Sequence, residues 1–443
     1  MGHGDSLHES PSQGDLLRRH RAVLPSWLAL YYEQPIEITE GNGRHVTDAD
    51  GRTYLDFFGG ILTNGLGYGV PEVSDAVRAQ LDTGVVHTST LYLVRKQVEL
   101  AERIAELSGI EDAKVFFTGS GTEANEAALM LATQLRRSNQ ILALRNSYHG
   151  RAFATVGITG NRSWSASSLS PVNVSYVHGG YRYRSPFRDL SDADYIAACV
   201  DDLRNIIETT TAGDVACMIA EPIQGVGGFA VPPDGMFGAM KDVLDEYGIL
   251  LVSDEVQTGW GRTGEHYWGM QAHGVTPDAM TFAKSLGNGI AIGGVVARAE
   301  LMDCLTANSI STFGGNPVAT SAALAVLDYI RDHDLQAACA DLGRRILDGL
   351  RAAGEKYDVI GDVRGKGLMI GVELVEPGGA PSPRAATGVL EACKARGLLI
   401  GKGGLYGNVL RLAPPMTLTT DEADEAIGIL TESLAVVDEE MMA

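Results

Sequence analysis

Seven short apolar runs in the middle of the chain, each bounded by glycine, proline or polar clusters, limit what it can fold into most severely. They are Val115–Thr118, Ile141–Leu144, Val174–Val177, Ala216–Ala220, Ile249–Ser253, Met280–Ala283 and Gly293–Ala297. Most are apolar at consecutive positions, so both faces need covering. Helical periodicity lies between them, clearest at 122–136 and 234–247. Strands buried on both faces that alternate with helices specify an α/β fold, a mostly parallel mixed sheet between helices.

The flanks read differently. Ile36 to Asp56 alternates, with turns at Gly41–Gly43 and Asp50-Gly51, the pattern of a β-meander. Helical stretches follow at 72–83 and 95–108, where Val98, Leu100, Ala101, Ile104 and Leu107 share a face. One long helical stretch covers 317–356, after which "GKGLMIGVELV", "GLLIGKGG" and "NVLRLAPP" read as strands between helices at 383–396 and 420–436. The expected division is an N-terminal segment (1–75) joining a smaller α+β domain, a large domain (76–325), and the C-terminal small domain (326–443). Residues 1–25 read as a frayed leader. Gly2 and Ser6 satisfy the loose N-myristoylation pattern, for which a flexible leader is the plainer reading.

Composition narrows the function. At 443 residues the chain is long enough for two domains, and 45% hydrophobic against 21% charged residues is a globular balance. A net charge of −21 argues against nucleic acid, which needs a clustered basic face. The five cysteines are scattered and form no CxxC pair, which points to a reduced, cytoplasmic compartment and no metal cluster. No apolar run approaches the ~20 residues that span a bilayer.

Four segments carry the chemistry. "KVFFTGSGTEANEAALMLATQL" passes from a strand through a Gly-Ser-Gly-Thr turn into a helix. Its first free N–H groups, with the Ser120 and Thr122 hydroxyls and the small Gly121, suit an anion. They suit a capped helix N-terminus equally well. "GILLVSDEVQTGWGRTG" delivers Asp254 and Glu255 to the C-terminal end of a strand, where open α/β sheets bind ligands. Asp254 either holds a proton on a heteroaromatic nitrogen or pairs with Arg262. In "AMTFAKSLGNGIAIGGVVA", Lys284 ends an apolar strand; drawn out of water, such an amine has a depressed pKa and forms a Schiff base. Lys366 and Lys402, each beside glycine, are its rivals. "NVLRLAPP" buries Arg411 in an apolar strand, where it needs an anion: a substrate carboxylate, or a protein carboxylate such as Glu221.

Together these segments resemble the class-III aminotransferases, the ornithine, acetylornithine and 4-aminobutyrate group of the fold-type-I pyridoxal-phosphate enzymes. The likeness runs from "DADGRTYLDFFGGI" to "LRLAPPMTLTTDEADEAI", and "GLLIGKGGLYGNVLRLAPP" looks most like the alanine–glyoxylate branch. The resemblance implies pyridoxal 5'-phosphate as cofactor and transamination by a ping-pong mechanism. Lys284 matches the cofactor lysine and proton carrier, and Asp254 the carboxylate beneath the pyridine nitrogen. Tyr148 matches the aromatic stacked on the ring, Val256 the residue on its opposite face, and Gln257 the one near the phenolic oxygen. Ser120, Gly121 and Thr122 match the phosphate cradle. Thr312 matches a threonine reaching the phosphate from the partner subunit, so a homodimer, or a tetramer built from it, is implied. Arg411 matches the arginine for the substrate carboxylate, and Glu221 the glutamate that neutralises it.

Two stretches depart from the family. Tyr68 and Val70, in "LGYGV", stand where relatives more often carry histidines, and "ITGNRSWSASSLSP", with Arg162, matches no substrate-reading pattern. The expected reaction moves an amino group from an amino acid or ω-amino acid donor to a small 2-oxo acid, pyruvate or glyoxylate. The alternatives are a 4-aminobutyrate/ornithine-type transaminase using 2-oxoglutarate, and an isomerase or decarboxylase with the same cofactor.

Overall fold

The structure is a computed structural model that describes residues 13–442. Its N-terminal alternation folds into β1 (Ile38–Asn42), β2 (His45–Asp48) and β3 (Thr53–Asp56), an antiparallel meander. The seven apolar runs become β4 (Ala113–Thr118), β5 (Gln140–Leu144), β6 (Asn173–Val177), β7 (Cys217–Ala220), β8 (Leu250–Asp254), β9 (Ala279–Phe282) and β10 (Gly293–Arg298). They form one sheet in the order β4-β10-β9-β8-β7-β5-β6, in which β10 alone runs opposite to the other six strands. Every residue of β7, β8 and β9 is buried, as runs without alternation require.

The C-terminal segment supplies β11 (Ile360–Lys366), β12 (Met369–Leu374), β13 (Leu398–Leu399), β14 (Gly401–Gly403) and β15 (Val409–Leu412). Four of these form a sheet in the order β11-β12-β15-β14, and β13 joins the N-terminal meander, parallel to β3. One apolar core runs through all three regions: Phe57 and Leu66 from the N-terminal segment, Phe282 from β9 and Trp268 from the loop between β8 and β9, Ile346 and Leu410 from the C-terminal segment. That shared core packs the three regions against one another.

The structure corrects several expectations. Residues 317–356 are two helices, Pro317–Asp332 and Leu335–Gly354, broken where Asp334 takes a left-handed φ of 48°, a conformation that aspartate tolerates. "GKGLMIGVELV" is a hairpin arm and its turn rather than one strand, because Gly367 (φ 51°) reverses the chain between β11 and β12. β11 is half-buried at every position, so no alternation announced it. Part of the supposed leader is a helix, Gln13–Val23, while the Gly2 and Ser6 pattern lies outside the described residues. Residues 75–76 and 325–326 sit inside the helices Pro71–Asp82 and Pro317–Asp332, so neither pair marks a break in the backbone. Among the described residues no helix is long and apolar enough to cross a membrane.

Candidate active site

A cavity of about 370 Å³ opens at the C-terminal ends of β4, β8 and β9. Its volume suits a small cofactor. Ser120, Gly121, Thr122, Tyr148, Glu221, Asp254, Val256, Gln257 and Lys284 all line it. Thr312 does not; it is exposed on the same chain. Arg162 is also exposed and lines no part of the cavity.

The Gly-Ser-Gly-Thr turn both caps a helix and leaves room for an anion. Ser120 Oγ accepts the Glu123 N–H at 3.2 Å, and the Glu123 carboxylate accepts the Gly119 N–H at 2.6 Å, a reciprocal cap. The Ser120 carbonyl takes the Ala124 N–H. The N–H groups of Gly121 and Thr122, first in the helix Gly121–Arg136, have no intrahelical acceptor and border the cavity. A Cβ on Gly121 would sit 2.9 Å from Val256 Cγ2, so only glycine lets Val256 close the cavity wall there.

Asp254, at the end of β8, is 4% exposed. Its Oδ2 accepts from Asn125 Nδ2 and His149 Nδ1, both at 2.8 Å, and its Oδ1 accepts from the Val256 N–H at 3.1 Å. Since a carboxylate only accepts, the His149 proton is on Nδ1. Thr281 Oγ1 in turn donates to Asn125 Oδ1 at 2.6 Å. This buried network fixes the carboxylate plane. The expectation that Asp254 pairs with Arg262 fails: Arg262 is fully buried elsewhere and donates to the carbonyls of Pro414 and Leu368.

Lys284 follows β9 with φ 50°, a strained value for a residue with a Cβ. Its amine pKa is lowered to about 8, first by desolvation and then by the Arg411 cation, against the opposing pull of Asp254 and Glu221. Lys284 Nζ donates to the Ile61 carbonyl at 3.2 Å. That carbonyl belongs to an unusual segment. Gly59, Gly60, Ile61 and Leu62 have φ of 54°, 60°, 63° and 62°, a full left-handed turn, which costs roughly 1–2 kcal/mol for each residue bearing a Cβ. Lys366 and Lys402 are engaged outside the cavity, the first with Asp234 and Glu265, the second with Thr387.

Arg411, on β15, is 2% exposed and forms no ion pair among the described residues. Its Nη2 donates to Gln257 Oε1 at 3.0 Å, its guanidinium lies 4.7 Å from the Phe229 ring centre and 5.1 Å from that of Phe58, and its Nε has no protein partner. Burial lowers its pKa, and the Glu221 charge partly opposes that. Glu221 is held by the Tyr148 N–H (2.9 Å) and the Gly225 N–H (2.7 Å), and burial lifts its pKa to about 7. The sequence alternative of a closed Arg411–Glu221 pair is therefore not formed.

Asn125, His149 and Thr281 went unread in the sequence. The signal for Asn125 was a polar residue next to the buried stripe of Ala124, Ala128 and Leu131; for His149 it was only adjacency to Tyr148. Trp164, in the unassigned stretch, meets the Tyr148 ring edge-on at 5.5 Å. Taken together, two free amides, a fixed buried carboxylate and a lysine of lowered pKa share one cavity. That set fits a phosphorylated pyridine aldehyde.

Comparison with known proteins agrees. The family model for class-III aminotransferases matches residues 29–434. The alanine–glyoxylate aminotransferase 2 homolog 2 (mitochondrial) of Arabidopsis thaliana is 38% identical over 431 residues, covering 97% of this chain and 89% of that protein. An alanine/serine racemase of Pyrococcus horikoshii is 33% identical, covering 96% and 90%. An amine transaminase from an uncultivated Pseudomonas species, solved in its pyridoxal-phosphate-bound form, superposes with a TM-score of 0.86 at 30% identity, over 100% of this chain and 99% of that one.

Proposed function

The chain belongs to the class-III aminotransferase family, and from that premise we propose which of its residues run the reaction and which substrates it takes. It is a pyridoxal-phosphate-dependent transaminase of fold type I. The bound cofactor supplies an aldehyde and an electron sink for the pair released at a substrate Cα.

In our reading Gly121 and Thr122 hold the phosphate through their free amides, with the hydroxyls of Ser120 and Thr122 beside it. Asp254, oriented by Asn125 and His149, keeps the pyridine nitrogen protonated. Tyr148 and Val256, which both line the cavity, would pack on the ring. Lys284 would carry the cofactor, and its free amine would take the proton from the substrate Cα and deliver it to the cofactor's aldehyde carbon, a task its lowered pKa suits. Arg411 orients the substrate carboxylate, with Gln257 fixing the guanidinium. Glu221, half-titrated near neutrality, stands ready to balance Arg411 when an amine end approaches instead.

The observation that carries the substrate reading is Arg411 itself, a buried cation whose Nε lacks a protein partner and which forms no ion pair among the described residues. A carboxylate completes it. The donor is then an amino acid or ω-amino acid and the acceptor a small 2-oxo acid, pyruvate or glyoxylate, in a cytoplasmic enzyme. Supports for these finer choices are the resemblance of the Arg411 stretch to the alanine–glyoxylate branch and, for the compartment, five free cysteines. A donor–acceptor screen, read from cofactor spectra in each half-reaction, tests it. Regeneration by 2-oxoglutarate alone would move the enzyme to the 4-aminobutyrate/ornithine type. The racemase relative favours isomerisation as a second reading, and amino-group chemistry that needs no second oxo acid would establish it.

We also propose that a second copy of the chain completes the site. Next to exposed Thr312, Phe313 is 68% exposed and its ring centre lies 5.2 Å from that of His87, in a segment that also exposes Leu91 (75%) and Leu93 (99%). Patches of this kind mark interfaces. Sedimentation of the holoenzyme should show a dimer or tetramer, and Thr312→Ala should weaken cofactor retention without dissociating it.

A further inference from the structure

Tyr68, which departs from the family, leads away from the cavity and back to Lys284. Its hydroxyl donates to Asp56 Oδ2 at 2.6 Å. Asp56 is 5% exposed, and its Oδ1 accepts the N–H groups of Phe58 (2.8 Å) and Gly59 (3.0 Å), at the point where the left-handed turn begins. The far end of that turn is tied to the lysine loop by two bonds: Ser285 Oγ donates to the Leu62 carbonyl at 2.7 Å, and Lys284 Nζ to the Ile61 carbonyl at 3.2 Å. Gly65 then packs so closely on Ser285 that a Cβ would lie 2.8 Å from the serine Cβ, and Asn288 brackets Leu66 and Gly67. The turn is thus stitched at both ends, and Ile61, half-exposed and β-branched, is held in a conformation that its own side chain opposes.

We propose that Tyr68 and Asp56 are positioning residues for Lys284, acting through the turn Gly59–Leu62, whose Ile61 carbonyl receives the lysine amine whenever it is not bonded to the cofactor. One N–H of the amine goes to that carbonyl, which leaves its lone pair to face the substrate Cα. Without the Asp56 anchor the turn relaxes towards right-handed backbone, the carbonyl rotates away, and the amine wanders. This rests on the assignment of Lys284 as the cofactor lysine.

Tyr68→Phe removes one hydroxyl and leaves the ring packed against Gly41. Two readouts should move together. In cofactor-free protein, exchange of the Leu62 and Asn64 amides should quicken about tenfold or more, while amides of the helix Gly121–Arg136 stay unchanged. In holoenzyme, the proton-moving half-reaction should slow roughly 10- to 100-fold with KM little altered, the scale for a misplaced reacting group. Tyr68→His retains a ring N–H donor and should restore most of both. Ser285→Ala, which frees the turn from its other side, should reproduce both effects if Tyr68→Phe does not fold. Unchanged exchange and unchanged rate in Tyr68→Phe or Ser285→Ala would overturn the proposal. So would quickened exchange with an unchanged rate. Borohydride trapping in the same samples separates the two claims: label on Lys366 or Lys402 overturns the lysine assignment, whereas label on Lys284 with inert variants overturns only the positioning role.

Discussion

Replacing Arg411 by methionine separates recognition from stability. Methionine matches the arginine stem in length and keeps contact with Phe58 and Phe229. Burying the guanidinium costs several kcal/mol. Two cation–π contacts, at about 0.5–2 kcal/mol each, and one hydrogen bond from a charged donor, at about 1.5–3 kcal/mol, offset most of that. The variant should therefore lie within about 2 kcal/mol of the parent in stability. Catalysis should change far more. A carboxylate gripped by two charge-assisted hydrogen bonds loses about 3–6 kcal/mol, so kcat/KM for carboxylated donors should fall roughly 10²- to 10⁴-fold. A primary amine without a carboxylate should lose no more than about threefold. The Lys284 amine, freed from the neighbouring cation that helps hold it at about 8, should titrate higher in the variant. Half-reaction spectra with paired donors, and thermal unfolding of the same samples, give all three numbers. Equal losses for both donor types, or destabilisation beyond about 3 kcal/mol, would show that Arg411 is structural.

Asp254→Asn should lower kcat about 100-fold or more while changing cofactor affinity little, measured by turnover and by fluorescence titration of cofactor; a near-parental rate would remove Asp254 from the mechanism. In cofactor-free protein Lys284 has a native pKa of about 8 against 10.5 unfolded, so between these values the unfolded chain binds the extra proton and stability rises with pH. Lys284→Met should flatten that rise in denaturant titrations run from pH 8 to 10.5. Glu221 works in the opposite sense: its native pKa of about 7 lies above the ordinary 4.5, so its contribution is complete below 4.5 and lost as pH climbs to 7. Glu221→Gln should remove that loss.

The sheet was legible because its strands are apolar on both faces, which leaves few ways to read them; β7, β8 and β9 are the clearest cases. Asp254, Lys284 and Arg411 stood out because each is a charge at the end of, or within, an apolar strand, a position that demands a reason. β11 was hidden by its uniform half-burial. Asn125, His149 and Thr281 were hidden because they act on another protein group rather than on a ligand, and no local pattern records a contact made across the fold. The left-handed turn was concealed further: "GGIL" reads as a flexible glycine pair followed by apolar residues, and the bonds that hold its two ends come from Asp56 and from Ser285, the latter contributed by a segment more than 200 residues away.

The parallel pairing of β3 with β13 has a consequence for biosynthesis. Leu55 and Asp56 find their strand partners, Leu398 and Leu399, more than 340 residues later in the chain. At roughly 5–20 residues per second, a ribosome leaves that edge of the meander bare for tens of seconds. An open strand edge invites pairing with any other chain, so the nascent N-terminus is a natural client for a chaperone, and a transcript truncated before residue 398 should yield aggregate rather than a smaller soluble enzyme.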